Sequence, residues 1–223
     1  MVPGIPSNSM KKTIQALAFT VFLGASSAQA GSYDQFFTAL KLDDGRTVQQ
    51  LLSRGFDPNT PDEKGEPPLV AALRDGHLEV ADVLLRHPDI KVDRPNLNNE
   101  TPLMMASLRG FNGHVQRLIE RGAAVNRKGW SPLLYAATGG DVKTIEILVQ
   151  AGADLQAVNA SGSGVLHMAA RFGRDEVALA LVRMGLDPRR QNPAGQDAVA
   201  AARWAGRDRL ADQLERLTLP PSR

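Results

Sequence analysis

A period near 33 residues constrains this chain more than any motif it contains. Aligning Pro68-Leu69, Pro102-Leu103, Pro132-Leu133, Val165-Leu166 and Ala198-Val199 gives spacings of 34, 30, 33 and 33 residues. Counted from the second residue of each pair, a glycine follows at seven (Gly76, Gly110, Gly140, Gly173, Gly206) and a leucine at fifteen (Leu84, Leu118, Leu148, Leu181, Leu214). Four residues before stand Gly65, Asn99, Gly129, Gly162 and Gly195, and Phe36 carries the frame back by one more unit. Such self-similarity marks a stacked array whose units cannot bury their own apolar faces alone.

Physical chemistry explains each recurring residue. Pro68, Pro102 and Pro132 stand where a first helix begins, a position that tolerates a missing amide hydrogen and favours a fixed φ. The alanines that follow, as in Ala71-Ala72 and Ala136-Ala137, favour helix and are small enough to let neighbouring helices approach. Glycines at seven, together with Gly122, Gly152 and Gly185 further on, supply left-handed C-caps. Asn99 replaces glycine at the one turn that lacks it, as the residue best suited to positive φ. Second helices are predicted over Leu78–Arg86, Gly113–Glu120, Val142–Val149, Glu176–Val182 and Asp208–Leu217, each with apolar residues at three- and four-residue spacing.

The register resembles the ankyrin repeat. Its closest matches are Glu100-Thr-Pro-Leu-Met-Met-Ala106 with Gly110, Trp130-Ser-Pro-Leu-Leu-Tyr-Ala-Ala137 with Gly140, and the endings Arg121-Gly-Ala-Ala-Val-Asn126 and Ala151-Gly-Ala-Asp154. The resemblance covers about residues 32–217 and implies an all-α repeat solenoid of helix-turn-helix pairs joined by β-turn fingers. It places units near 33–64, 65–98, 99–128, 129–161, 162–194 and 195–217, in a single domain over 31–217 with a tail over 218–223. The outer units read as caps: the first lacks the proline start and carries Asp34, Lys41, Asp43 and Gln49, and the last exposes Arg209, Asp212, Gln213 and Arg216.

The N-terminus reads differently. Lys11 and Lys12, an uncharged run from Ile14 to Leu23, and Ala25-Ser-Ser-Ala-Gln-Ala30 form the basic, apolar and small-residue order of a secretory signal peptide, with cleavage expected after Ala30. The alternative is a membrane anchor, but the apolar run is only half the roughly 20 residues that a spanning helix needs. Met10 offers an alternative start. Removing residues 1–30 takes two lysines and no acid from 26 basic and 24 acidic residues, leaving the two signs equal. That balance argues against nucleic acid or an anionic membrane as partner. Zero cysteines exclude disulfides and thiolate chemistry. The expected location is the periplasm, with full secretion as the alternative.

Candidate chemistry is sparse. The opening stretch of the fifth unit, Ser161-Gly-Ser-Gly-Val-Leu-His167, offers a hydrolase reading in which His167 serves Ser161 or Ser163. The competing reading makes His167 and His77 brackets that tie turns together, and leaves His87 and His114 in solvent. Asp57, Asp154 and Asp187 are expected to bond within their own turns. No phosphate-binding loop, dinucleotide fingerprint or zinc spacing is present, so neither cofactor nor metal is expected.

The resemblance places partner-binding residues where the scaffold leaves the sequence free: five and six residues after the anchor on the concave face, and at the finger tips. Those positions carry Arg74 and Asp75, Leu108 and Arg109, Thr138 and Gly139, Arg171 and Phe172, and Trp204 and Ala205, with Glu66, Glu100 and Trp130 at the tips. The set of interest is Glu66, Arg74, Glu100, Arg109, Trp130, Tyr135, Arg171, Phe172 and Trp204, rich in hot-spot residue types. The spacing of 30 before Leu133 shortens one finger by three residues, and a notch is expected there, lined by Trp130, Tyr135 and Arg109 or Arg171. Tyr135 alternatively packs between repeats. The implied function is a non-enzymatic scaffold, monomeric, binding another protein; support of a periplasmic enzyme and binding of a host protein by a secreted effector both fit.

Overall fold

The computed structural model describes residues 31–218, so the expected signal peptide lies outside the described residues, as do residues 219–223. The described residues form helices in six consecutive pairs. The first helix spans 31–41 (α1) and is followed by α2 (Gly45–Ser53). The pairs continue as α3 (Pro68–Asp75) with α4 (Leu78–Arg86), α5 (Pro102–Arg109) with α6 (Asn112–Glu120), and α7 (Pro132–Gly139) with α8 (Val142–Gln150). The last are α9 (Val165–Arg171) with α10 (Asp175–Arg183), and α11 (Ala198–Trp204) with α12 (Asp208–Thr218), which takes in the first residue of the expected tail. The only extended pairing among the described residues is an isolated antiparallel bridge between Val158 and Gly164. The all-α repeat solenoid is therefore observed.

First helices stack on first helices, α3 on α5, α5 on α7, α7 on α9 and α9 on α11, while second helices form a parallel layer from α2 to α10. One apolar core runs the length of the stack between the two layers, from Phe36 to Leu214. Every leucine at fifteen, Leu84 through Leu214, is fully buried. The first helices are the inner ones: in α5 all six residues from Pro102 to Ser107 are buried.

Local signals set the boundaries. Helix α5 starts because Thr101 is extended and its hydroxyl accepts from the Met104 amide at 3.3 Å, with Pro102 at the first helical position. It stops at Gly110, φ 68°, and the turn position held by Asn99 has φ 62°. At the equivalent start of α8, Asp141 accepts from the Thr144 amide at 3.0 Å and from its hydroxyl. Burial alone would raise the Asp141 carboxyl, but the bonds from Thr144 and Asn112 outweigh it and hold it below the ordinary 3.8. A depressed pKa contributes stability that is present above the unfolded value and lost as pH falls through the folded one. Asp141→Ala should therefore cost about 1 kcal/mol near neutral pH. The gap from wild type should close as urea unfolding is followed down below pH 3.8.

Two histidine expectations need correction. His114 is buried, not solvated, because α6 lies against α4 and brings its Nε2 to 2.8 Å from Asp82 Oδ1, beside Arg117, which also reaches that carboxylate. His77 does not bracket a turn through its side chain, since its Nδ1 is buried without a hydrogen-bond partner. His87, half-buried, accepts the Asp89 amide at 3.2 Å just beyond α4. His167 behaves as a bracket: it is 8% exposed and its Nε2 donates to the Gln196 carbonyl at 2.7 Å in the next unit. Asp57, Asp154 and Asp187 each accept a main-chain amide two residues on at 2.8 Å, within their own turns.

Candidate interaction surface

The fingers are built by an Asx position that the anchor alignment contains but does not announce. Seven residues before the anchor, Asp62, Asn96, Asn159 and Asn192 each accept the amides two and four residues ahead through Oδ1, at 2.8 to 3.0 Å. In each finger the same residue's amide donates to the carbonyl four residues on, closing a tight hairpin. Neighbouring fingers are joined by side chains, Asn96 Nδ2 donating to Glu66 at 3.3 Å and Asn192 Nδ2 to Ser163 Oγ at 3.3 Å.

Asn126 also stands seven before its anchor, yet it does a different job. Its Oδ1 accepts from Asp154 N at 2.9 Å and its Nδ2 donates to Gly152 O at 2.8 Å, stapling the third unit to the fourth. Asn59, ten residues before its own anchor, makes the same staple to Lys91 N and Asp89 O. The three residues missing from the third unit are thus those of the finger tip, and no hairpin closes there.

The expected site residues fall into two groups. Along the finger side runs a continuous chain of contacts: Arg74 pairs with Glu66 at 3.0 Å, Asn96 joins Glu66 to Glu100, and the Tyr135 hydroxyl donates to Glu100 Oε1 at 2.8 Å. The Trp130 ring meets the Tyr135 ring edge-on, centroids 5.3 Å apart. Burial first, and then the carboxylate of Glu100, push the Tyr135 phenol well above its ordinary value, so it is a permanent donor at neutral pH. Tyr135 therefore serves both readings, packing against the next ring and holding a finger. Arg74 is neutralised twice, since Asp75 holds its guanidinium through two further bonds at 3.0 and 3.1 Å. The Asp75 bonds raise the arginine and lower the aspartate.

The second group lies at the C-terminal end of the first-helix layer. The Arg171 guanidinium sits 4.4 Å above the Trp204 ring, and Phe172 and Trp204 are 50% and 69% exposed. Both Arg171 and Trp204 stand five residues after their anchors, so the stack places one over the other. Neither Arg171 nor Arg109 joins Trp130 and Tyr135 as the notch expectation had it; Arg109 lies 5.6 Å over Phe111. A guanidinium prefers the nearest ring face, and each arginine has one on its own side. Thr138 and Gly139 are not free either, because Thr138 is buried and Gly139 abuts the Leu108 carbonyl.

The hydrolase geometry is not assembled. Ser161 and Ser163 gather around Asn159, the Ser161 hydroxyl donating to its Oδ1 at 2.7 Å, and His167 is turned away to Gln196. Among the described residues no group of three or more histidines and acids is placed to hold a metal ion, and no helix is long and apolar enough to cross a membrane.

Comparison with known proteins agrees with this architecture. Ankyrin repeats match over residues 36–128 and 111–192. The chain is 30% identical over 102 residues to Ankyrin repeat and SAM domain-containing protein 6 of Rattus norvegicus, covering 44% of this chain and 12% of that protein. It is 33% identical over 124 residues to Alpha-latrotoxin-Lg1a of Latrodectus geometricus, covering 52% and 9%. It is also 33% identical over 96 residues to the Glycerophosphocholine phosphodiesterase gde1 of Schizosaccharomyces pombe, covering 42% and 8%. The chain thus spans about a tenth of the length of these relatives, whose names cover both a toxin and an enzyme. By its stacked helix pairs and the match across more than half its length, the chain belongs to the ankyrin-repeat family and is a protein–protein interaction module.

Proposed function

We propose that this protein is an exported, non-enzymatic scaffold that holds a partner protein against its concave first-helix face and finger tips. The observation that carries the reading is the Arg171–Trp204 stack with Phe172 beside it, large aromatic surface left open while the other aromatics among the described residues are more fully buried. Exposed tryptophan and arginine of this kind dominate interface energetics. Because the ring and guanidinium are already stacked, little side-chain freedom remains to be lost on binding. The signal-like order from Lys11 to Ala30 supports export to the periplasm, and the equal count of charges beyond it supports a protein rather than a polyanion as partner.

A photo-crosslinking residue placed at Phe172 in living cells should trap one discrete protein, while the same residue at Glu146 on α8 should not. Adding Trp204→Ala should lower the crosslink at least tenfold, about 1.4 kcal/mol of binding, with the unfolding midpoint unchanged. Equal crosslinking at both positions would remove the site. Export is checked by fractionation with N-terminal mass spectrometry: the periplasmic form should begin at Gly31, and a cytosolic chain retaining residues 1–30 would refute it.

A further inference from the structure

We infer that the gap left by the missing third finger is a seat for an acidic turn of the partner protein. This rests on the scaffold reading above and names the chemistry of what it holds.

In the intact fingers the amide at seven before the anchor donates to the residue at three before the anchor in the preceding finger, as Asn96 does to Glu66 and Asn192 to Ser163. Across the gap both ends of that pattern are interrupted, and they are left in different states. On one side Glu100 has its oxygens occupied, Oε1 by the Tyr135 hydroxyl and Oε2 by Asn96 Nδ2. On the other side Asn159 Nδ2 finds only the thioether of Met168, a weak acceptor at 3.7 Å, because the residue at three before the anchor is here Trp130, which has no acceptor. The acceptors are held by oxygen and nitrogen donors, while the donor is held only by a sulfur.

The hollow beside the short finger has the matching charge. It is open, about 470 Å³, and runs between Arg127, Lys128 and Gly129 on one wall and Gln156, Ala157 and Val158 on the other. Lys128 is exposed and in no ion pair among the described residues, and the Arg127 guanidinium donates only to the Asn99 side-chain oxygen Oδ1, at 2.8 Å. Asp154 also lines the hollow, but its Oδ1 is bound by the Gln156 amide, and one acid against two bases leaves the wall positive. Val158, 39% exposed, gives the hollow an apolar lining, and Trp130, 40% exposed, follows Gly129 of the wall in the chain. An occupant must therefore bring carboxylate acceptors beside an apolar side chain on a tight bend, in the place of the hairpin that the third unit lacks.

The chain has two tryptophans, so a Trp204→Phe version reports on Trp130 alone. Its fluorescence is titrated with a head-to-tail cyclised eight-residue peptide carrying Glu-Leu-Asp-Gly at its turn, and with the Gln-Leu-Asn-Gly counterpart. The acidic peptide should bind at least tenfold more tightly than the amide one. Arg127→Gln with Lys128→Gln should weaken it at least tenfold, whereas Lys143→Gln on α8 should leave it unchanged. Inserting Pro-Asn-Leu after Arg127, a copy of Pro95-Asn96-Leu97, should rebuild the finger and abolish saturation. Equal affinity for the two peptides, no effect of the double substitution, or retained binding by a folded insertion chain would each overturn the inference. Tighter, Lys128-dependent binding of a twelve-residue oligothymidylate would replace it with a nucleic-acid site. If the peptide fails while crosslinks at Phe172 persist, the scaffold stands and this seat falls; if both fail, both fall.

Discussion

Gly139→Ala will destabilise the protein by about 3 kcal/mol, at the upper end for forcing atoms into a packed site. A Cβ at this position would lie 2.2 Å from the Leu108 carbonyl oxygen and 2.9 Å from its carbon. The obstacle is main chain, which cannot swing aside as a lysine or arginine tip can. Helices α5 and α7 would have to separate, and with them the interface that joins the first half of the stack to the second. Gly113 in α6 is the control, since nothing lies within 4 Å of its added Cβ. There alanine should stabilise by a few tenths to about 1 kcal/mol through helix propensity. Urea unfolding of both variants checks the pair; a Gly139→Ala midpoint equal to wild type would mean that the two helices are not in contact as described.

Asn59→Ala should cost about 3 kcal/mol and Asn126→Ala about 1 kcal/mol, although the two side chains make the same staple. Asn59 is 5% exposed and bonds Lys91 N at 2.8 Å, Asp89 O at 2.9 Å and Asp57 Oδ1 at 3.0 Å. Its removal leaves the Lys91 amide and the Asp89 carbonyl without the buried side chain that bonds both. Asn126 is exposed, so water replaces its bonds to Gly152 and Asp154. Equal losses in the two variants would show that burial does not govern the staples. Native-state hydrogen exchange at the amides of Lys91 and Asp154 reads the same difference locally.

The anchors, glycines and leucines foretold the helix boundaries to within about a residue, because each repeats a local cause: a proline start, a positive-φ stop, an apolar stripe. Asp82 and His114 could not be matched in this way. They lie 32 residues apart on second helices, and neither belongs to the apolar stripe whose period the sequence shows. The Arg171–Trp204 stack is legible in the register, since both occupy the same repeat position, whereas Trp130, the ring expected beside Arg171, stands at a finger tip. The register of Asn126 was not within reach. The spacing of 30 before Leu133 already places the loss in the finger, but counting back from Leu133 puts Asn126 at the finger position, and only its bonds to the following unit show that it takes the place Asn59 holds earlier in the stack.

The sequence by itself determined the class of fold, the number of helix pairs, the place of each reversal and the residues of the core, because those follow from torsion preferences and from apolar period along one chain. The tertiary structure decided which polar and aromatic side chains meet, where His114 and Asn59 are buried, and that across the gap Glu100 has both oxygens filled while Asn159 Nδ2 is held only by a sulfur. Those depend on lateral distances between units about 33 residues apart, set by how closely the small residues let the helices stack, and no period along the chain encodes them.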